Sequence, residues 1–332
     1  MKNNDRFNNK RRDFVANSAK IGTALGVSAL LGGNVLWSAD LKSNKSVNPN
    51  KKSTQMQFTT LNNGAKMPLV GFGTWLIRGV ECQKSVENAL SVGYRLIDTA
   101  QMYGNESEVG KAIKASGVAR NELFITTKLS SDMNYSESLK AIDESLRRIG
   151  VDSVDLMLIH KPYAQYKEMY KAMVKAHKDG KIKSLGVSNF TPNRYNELLK
   201  TREIIPAVNQ METHLFNQQR ELRALMQKSG TKLEAWSPFA KGSKELFNNE
   251  VLVSVAKKHN KTPAQVALRF LIEQDIIVIP KTTKIERMRE NIALFDFALD
   301  NSDKKALYVL DRGEDMYRWF DSKIMDFLLK FS

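Results

Sequence analysis

Four side chains with complementary proton chemistry recur along the chain: the carboxyl of Asp98, the phenol of Tyr103, the ammonium of Lys128 and the imidazole of His160. A phenol titrating near pH ~10 donates its proton poorly at neutral pH unless a neighbouring cation favours the phenolate. Lys128 can supply that cation, and Asp98 can hold the ammonium in place as its ion-pair partner. His160 can then orient a substrate oxygen by hydrogen bonding. Such a set suits polarising a carbonyl while a hydride arrives at its carbon. Each residue alone is only a polar group closing an apolar run, as loops commonly provide. Buried together without partners they would be expensive, so a joint role is the expectation.

These residues meet only if the backbone gathers them. Eight short apolar runs alternate with helical patterns: Leu69–Gly73, Arg95–Asp98, Leu123–Lys128, Val154–His160, Ile182–Ser188, Ala207–Glu212, Leu233–Ser237 and Ile276–Lys281. Between them lie amphipathic segments. In Ser136–Arg148, for instance, Leu139, Ile142 and Leu146 recur at helical spacing. Thr191-Pro192 predicts a helix with a capping residue before its first-turn proline, and Thr262-Pro-Ala-Gln265 predicts a capping box. Ahead of the first run, Gln57–Leu61, an Asn63-Gly64 turn and Ala65–Met67 read as a short β-hairpin. Alternating strands and helices require parallel pairing with right-handed crossovers, and eight units close into a (β/α)8 TIM barrel. A doubly wound sheet would want a glycine-rich phosphate turn after its first strand. Gly71-Phe-Gly73-Thr-Trp75 lacks the third glycine and the downstream acid of that fingerprint.

Barrel active sites are assembled at the C-terminal ends of the strands. Those ends are Thr74, Asp98, Lys128, His160, Ser188-Asn189, Gln210, Trp236 and Lys281, spaced by 22 to 32 residues until a last interval of 45. Polar groups therefore fall where the apolar runs stop, at one mouth.

Composition narrows the classes further. Of 332 residues, 42% are hydrophobic and 26% charged, enough to bury a full core. A single cysteine, Cys82, excludes an intramolecular disulfide framework, and with four scattered histidines no dedicated metal cage is expected. The net charge of +15 raises nucleic acid as a partner, but residues 1–52 hold ten Lys/Arg against three Asp/Glu. The rest of the excess is dispersed among acidic side chains, and no nucleic-acid motif accompanies it. The charge marks a basic leader, so no nucleic-acid partner is expected.

The strings Gly71-Phe-Gly-Thr-Trp75, Asp98-Thr-Ala-Gln-Met-Tyr103-Gly-Asn-Glu106, Thr127-Lys128-Leu129, Leu158-Ile-His160, Gly186-Val-Ser-Asn-Phe190 and Ile279-Pro-Lys281 together resemble the aldo-keto reductase superfamily. The likeness runs from about Phe58 to Leu299, and six motifs in the family's order make it specific. It implies a nicotinamide-dependent reduction of an aldehyde or ketone, with Tyr103 as general acid and Asp98, Lys128 and His160 completing a tetrad. It further implies that Thr74 lies in the cofactor site and that Ser188, Asn189 and Gln210 grip the nicotinamide carboxamide. Trp236 would stack under the ring, and Ser237 and Phe239 would begin the loop over the pyrophosphate. Lys281, Thr282 and Arg287 would hold the adenosine 2′-phosphate, with Glu290 and Asn291 near the adenine. Two cations and a hydroxyl suit a phosphate dianion, which favours NADPH over NADH. Trp75 would wall the substrate pocket beside His160.

Within the superfamily, Trp236-Ser-Pro-Phe239 and Asn209-Gln-Met-Glu-Thr-His214 look most like the bacterial branch of diketogluconate and methylglyoxal reductases. Three departures stand out: Lys161 after His160 where many relatives have Trp or Gln, Thr283 for a common Val, and a short loop from Lys161 to Tyr166. His214 reads as structural, His177 and His259 as surface residues, and Met211 as core. The resemblance implies a small-molecule carbonyl substrate and a monomer. An NADPH-binding redox sensor or partner-dependent subunit with little turnover is the alternative.

The ends of the chain carry different signals. Residues 1–39 combine Lys10-Arg11-Arg12-Asp13-Phe14 with nineteen uncharged residues from Ile21 to Ala39 and resemble a twin-arginine export signal. The expectation is a periplasmic or extracytoplasmic protein handled by the twin-arginine machinery, with cleavage or anchoring left open. If the leader is not functional, the location is cytoplasmic. Residues 40–55 read as a polar linker, 56–310 as the barrel, and 311–332 as an amphipathic, aromatic helical extension.

Overall fold

The computed structural model describes residues 56–315. The leader, the linker up to residue 55 and the extension from residue 316 lie outside the described residues.

A two-stranded hairpin, β1 (Phe58–Thr60) and β2 (Lys66–Pro68), comes first, with Thr59 opposite Met67. Its connection is the five-residue stretch 61–65 rather than a tight two-residue turn. Gly64 takes a left-handed φ of 86° there, which suits a residue without Cβ. From that loop Asn63 Nδ2 donates to Lys183 O at 3.0 Å and to Ser184 Oγ at 2.9 Å. Asn62 Nδ2 reaches Pro206 O at 3.1 Å. The hairpin thus seals the end of the barrel where strands begin.

Eight parallel strands follow: β3 (Phe72–Gly73), β4 (Leu96–Asp98), β5 (Phe124–Leu129), β6 (Val154–Ile159), β7 (Ile182–Ser188), β8 (Val208–Glu212), β9 (Lys232–Trp236) and β10 (Ile277–Val278). They lie side by side in chain order. The first and last strands are shorter than their apolar runs, because they meet at the closure. Val70 bridges Val278 in parallel, Gly71 N donates to Val278 O at 2.8 Å, and Gly73 N donates to Pro280 O at 3.2 Å. A Cβ on Gly73 would stand 2.8 Å from Ile279 O, so the closure requires glycine.

Helices α1 (Gly79–Val92), α2 (Glu106–Ser116), α3 (Tyr135–Ile149), α4 (Tyr166–Lys178), α5 (Pro192–Thr201) and α6 (Arg220–Gln227) each follow one strand. Between β9 and β10 stand three, α7 (Lys244–Phe247), α8 (Glu250–Lys258) and α9 (Pro263–Ile272), which accounts for the long last interval. Helices α10 (Ile285–Ile292) and α11 (Asn301–Tyr308) complete the order. The capping box at Thr262 is present, its Oγ1 accepting Gln265 N at 3.2 Å while Gln265 Oε1 accepts Thr262 N at 3.1 Å. At α5 the proline occupies the first turn, but the Thr191 side chain makes no capping bond. In α3 the box is made by Asn134 and Glu137, one residue ahead of the expected start. Buried faces such as Ile142, Leu146 and Ile149 of α3 pack on the sheet, where β6 is buried throughout.

Candidate active site

Asp98 ends β4 and Lys128 lies near the end of the neighbouring β5, both withdrawn from water. Lys128 Nζ donates to Asp98 Oδ1 at 2.6 Å, to Thr99 O at 2.9 Å and to Tyr103 Oη at 3.2 Å. All three ammonium protons are thereby used. Burial pulls the ammonium toward neutrality, but Asp98, Tyr103 and Glu234 together more than offset this and Lys128 ends above its ordinary range. Tyr103 closes the 3-10 turn Gln101–Tyr103, and Gly104 leaves that turn with φ 65°.

The phenol is where the sequence expectation needs correction. Burial pushes Tyr103 up to about 12, Lys128 opposes it, and Asp98 pushes the same way as burial. The cation lowers the phenol relative to its buried value without bringing it below the ordinary one. Tyr103 therefore keeps its proton throughout the neutral range, as a general acid must.

His160 follows β6, its backbone N donating to Leu129 O at 3.0 Å. Its ring stands 5.6 Å from the Tyr103 ring, edge to face, and Nδ1 lies 3.0 Å from Ser130 Oγ. Burial first, then the charges of Lys128 and Lys161, hold the imidazole well below the histidine range, so it is neutral at pH 7. Trp75, 39% exposed, stands 4.8 Å from the Tyr103 ring.

Of the positions implied for the cofactor, Thr74, Ser188, Asn189, Gln210 and Trp236 are brought together by hydrogen bonds. Ser188 of β7 and Gln210 of β8 are register partners, and Gln210 is the partner of Glu234 in β9. Ser188 Oγ donates to Gln210 O at 2.9 Å. Asn189, at a left-handed φ of 63°, donates from Nδ2 to His160 O and Ser188 Oγ, and accepts Trp236 Nε1 at 3.0 Å. Gln210 Nε2 donates to both Asp98 Oδ2 and Glu234 Oε2 at 2.9 Å, so the amide's remaining offer to a ligand is its carbonyl oxygen. Thr74 is fully buried, with its hydroxyl donating to Asp98 O at 2.9 Å.

Beyond β9 the backbone takes left-handed angles at Ser237, Ala240 and Lys241, a concentration of strain rare for residues with a Cβ. Lys241 N donates to Ser237 Oγ at 2.9 Å, and the Phe239 ring packs 5.6 Å from Phe247. Lys281 and Arg287 are exposed and belong to no ion pair among the described residues. Thr282 and Asn291 are buried, and Thr282 Oγ1 accepts Lys284 N at 3.2 Å. Glu290 Oε1 accepts the Thr262 hydroxyl at 2.5 Å, tying α10 to the start of α9.

Three contributors escaped the sequence reading. Ser130 contacts His160, and Asn105 accepts Thr99 Oγ1 at 2.6 Å while donating to Thr74 O and Ile77 O. Glu234 places a second, fully buried carboxyl beside Asp98. Its signal was an acid inside an apolar run. His214 is buried against Glu212, with Nε2 3.2 Å from Oε1, in keeping with a structural role.

The mouth of this parallel barrel thus holds a lysine-supported, protonated tyrosine beside a neutral histidine, an arrangement chemically able to donate a proton. Residues 69–311 match the model of the aldo/keto reductase family, and this chain belongs to that family. It is 46% identical over 257 residues to glyoxal reductase of Bacillus subtilis (strain 168), covering 76% of this chain and 92% of the relative. To methylglyoxal reductase of Salmonella typhimurium it is 40% identical over 257 residues, covering 76% and 93%. The crystal structure of a Bombyx mori aldo-keto reductase in complex with NADP superposes with a TM-score of 0.76 at 33% identity, covering 80% of this chain and 97% of that one. The chain is thus an oxidoreductase with bacterial glyoxal and methylglyoxal reductases among its relatives.

Proposed function

We propose that the protein reduces an aldehyde or ketone to an alcohol with NADPH, Tyr103 acting as general acid. The observation that carries this reading is the Asp98–Lys128–Tyr103 chain, at 2.6 and 3.2 Å, with all three side chains buried. The donor set fits a nicotinamide dinucleotide: Ser188, Asn189 and Gln210 form one polar cluster beside the half-buried Trp236. The left-handed loop from Ser237 and the unpaired Lys281 and Arg287 suit phosphates. When bound, the cofactor supplies the hydride. Tyr103 holds the proton destined for the carbonyl oxygen, Lys128 eases its departure by favouring phenolate, and Asp98 keeps Lys128 charged and in place. Neutral His160 offers a ring nitrogen to the same oxygen and fixes which face of the carbonyl is presented.

The test is a fluorescence titration of the full chain with NADPH and with NADH, followed by a panel of small aldehydes and ketones. Tighter binding of NADPH than NADH with cofactor oxidation on the panel is expected. Binding without turnover would instead favour a sensor, and no binding would overturn the roles given to Lys281 and Arg287.

We read the leader, on Lys10-Arg11-Arg12 and the uncharged stretch after it, as a twin-arginine-like signal that exports the folded barrel. Because NADPH is not regenerated outside the cytoplasm, the cofactor would travel bound. Cell fractionation tests this, and wholly cytoplasmic protein would overturn it.

A further inference from the structure

Among the described residues, three cations assigned to the mouth make no ion pair: the exposed Lys281 and Arg287 and, beside the histidine, the half-buried Lys161. Lys128 is neutralised by Asp98 at 2.6 Å, and His160 is neutral. Lys161, the residue after His160, is half-buried and makes no ion pair among the described residues. In the neighbouring loop Asp132 accepts Gln165 N at 2.8 Å, and burial alone acts on the Lys161 ammonium, pulling it below its ordinary range. Its charge is close enough to the His160 ring to lower that ring's basicity too. A half-desolvated cation without a counter-ion is unfavourable and is relieved by an anion brought to it. The loop that carries it is short, since α4 begins five residues later, at Tyr166.

We propose that Lys161 is a specificity-determining residue that binds the anionic group of the substrate, so the preferred substrates are carbonyl compounds bearing a carboxylate or phosphate a few bonds from the carbonyl. This rests on the reductase reading above. His160 and Tyr103 hold the carbonyl oxygen, and consecutive Cα atoms lie about 3.8 Å apart. The lysine side chain extends several bonds beyond its Cα, so its ammonium, close enough to act on the His160 ring, can meet an anionic group a few bonds from the reacting carbon. A lysine is a compact point charge and does not by itself choose between carboxylate and phosphate.

The experiment compares kcat/KM, for the full chain with NADPH, within matched pairs: 4-formylbenzoate against 4-formylbenzamide, and glyceraldehyde 3-phosphate against glyceraldehyde. The anion should be favoured about tenfold in at least one pair, a charged hydrogen bond discounted for half exposure. The pair that responds names the anion. Lys161→Met should bring that ratio to about one, while Lys161→Arg retains most of it. Equal use of anion and isostere by the natural protein, or a preference that survives in Lys161→Met, overturns the proposal. Tryptophan fluorescence titrated with benzoate and with benzamide gives the same comparison without turnover. If no aldehyde is reduced, the reductase reading fails, while the binding ratio still decides the role of Lys161.

Discussion

Replacing Glu234 by Gln tests the electrostatics of the barrel centre with little change of shape. Glu234 Oε2 accepts Gln210 Nε2 at 2.9 Å, and Oε1 has no hydrogen-bond partner among the described residues. Gln210 bonds Asp98 Oδ2 with the same nitrogen, so two carboxyls share one amide and one nearby ammonium, that of Lys128. Burial, then the Asp98 charge, raises Glu234 to about 8. The folded protein thus keeps a proton that the unfolded chain, with its carboxyl near the ordinary value of 4.5, gives up as pH rises. The sign follows: native protein binds more protons between these two values, so stability falls as pH rises through that window. At one pKa unit per 1.36 kcal/mol, the loss attributable to this group between pH 5 and pH 8 is on the order of 3 kcal/mol. An uncharged glutamine carries no such penalty. Urea unfolding of the full chain at pH 5 and pH 8 should show Glu234→Gln gaining on the natural protein by about that amount. Parallel pH dependences would refute the reasoning, since they would mean that Glu234 titrates alike in folded and unfolded chains.

Lys128→Met should remove the cation paired with Asp98 and destabilise the fold by about 3–5 kcal/mol, read by the same denaturation, because it strands a buried charge. Adding Asp98→Asn should recover much of that loss. Ser130→Ala should lower kcat/KM with small aldehydes about tenfold, by freeing Nδ1 of His160 and the choice of its tautomer. An unchanged value would remove Ser130 from the site. Lys281→Ala with Arg287→Ala should weaken NADPH by at least tenfold and NADH far less, in paired titrations.

Much of the barrel could be read from sequence because each strand is an apolar run of parallel-sheet type and each helix has its own periodicity. The first and last strands were overestimated: closure at Val70 and Val278 needs only a few backbone bonds, and the flanking residues turn outward to loops. The extra helices α7 and α8 were visible only as the interval of 45 residues before Lys281. The tetrad was legible because its members close their runs. Ser130 and Asn105 were not, since a lone Ser or Asn in a loop carries no pattern; only spatial contact with His160 and Thr74 gives them meaning. The net rise of the Tyr103 phenol was likewise hidden, because the extent of desolvation is a property of packing.

The central claim is that the proton reaching the carbonyl oxygen comes from Tyr103. Its most direct test is Tyr103→Phe in the full chain, with NADPH affinity and single-turnover aldehyde reduction measured on one sample. NADPH should bind within about twofold of the natural protein while the reduction rate falls by about 10²–10⁴. A variant that binds NADPH and still reduces the aldehyde at the natural rate would contradict it.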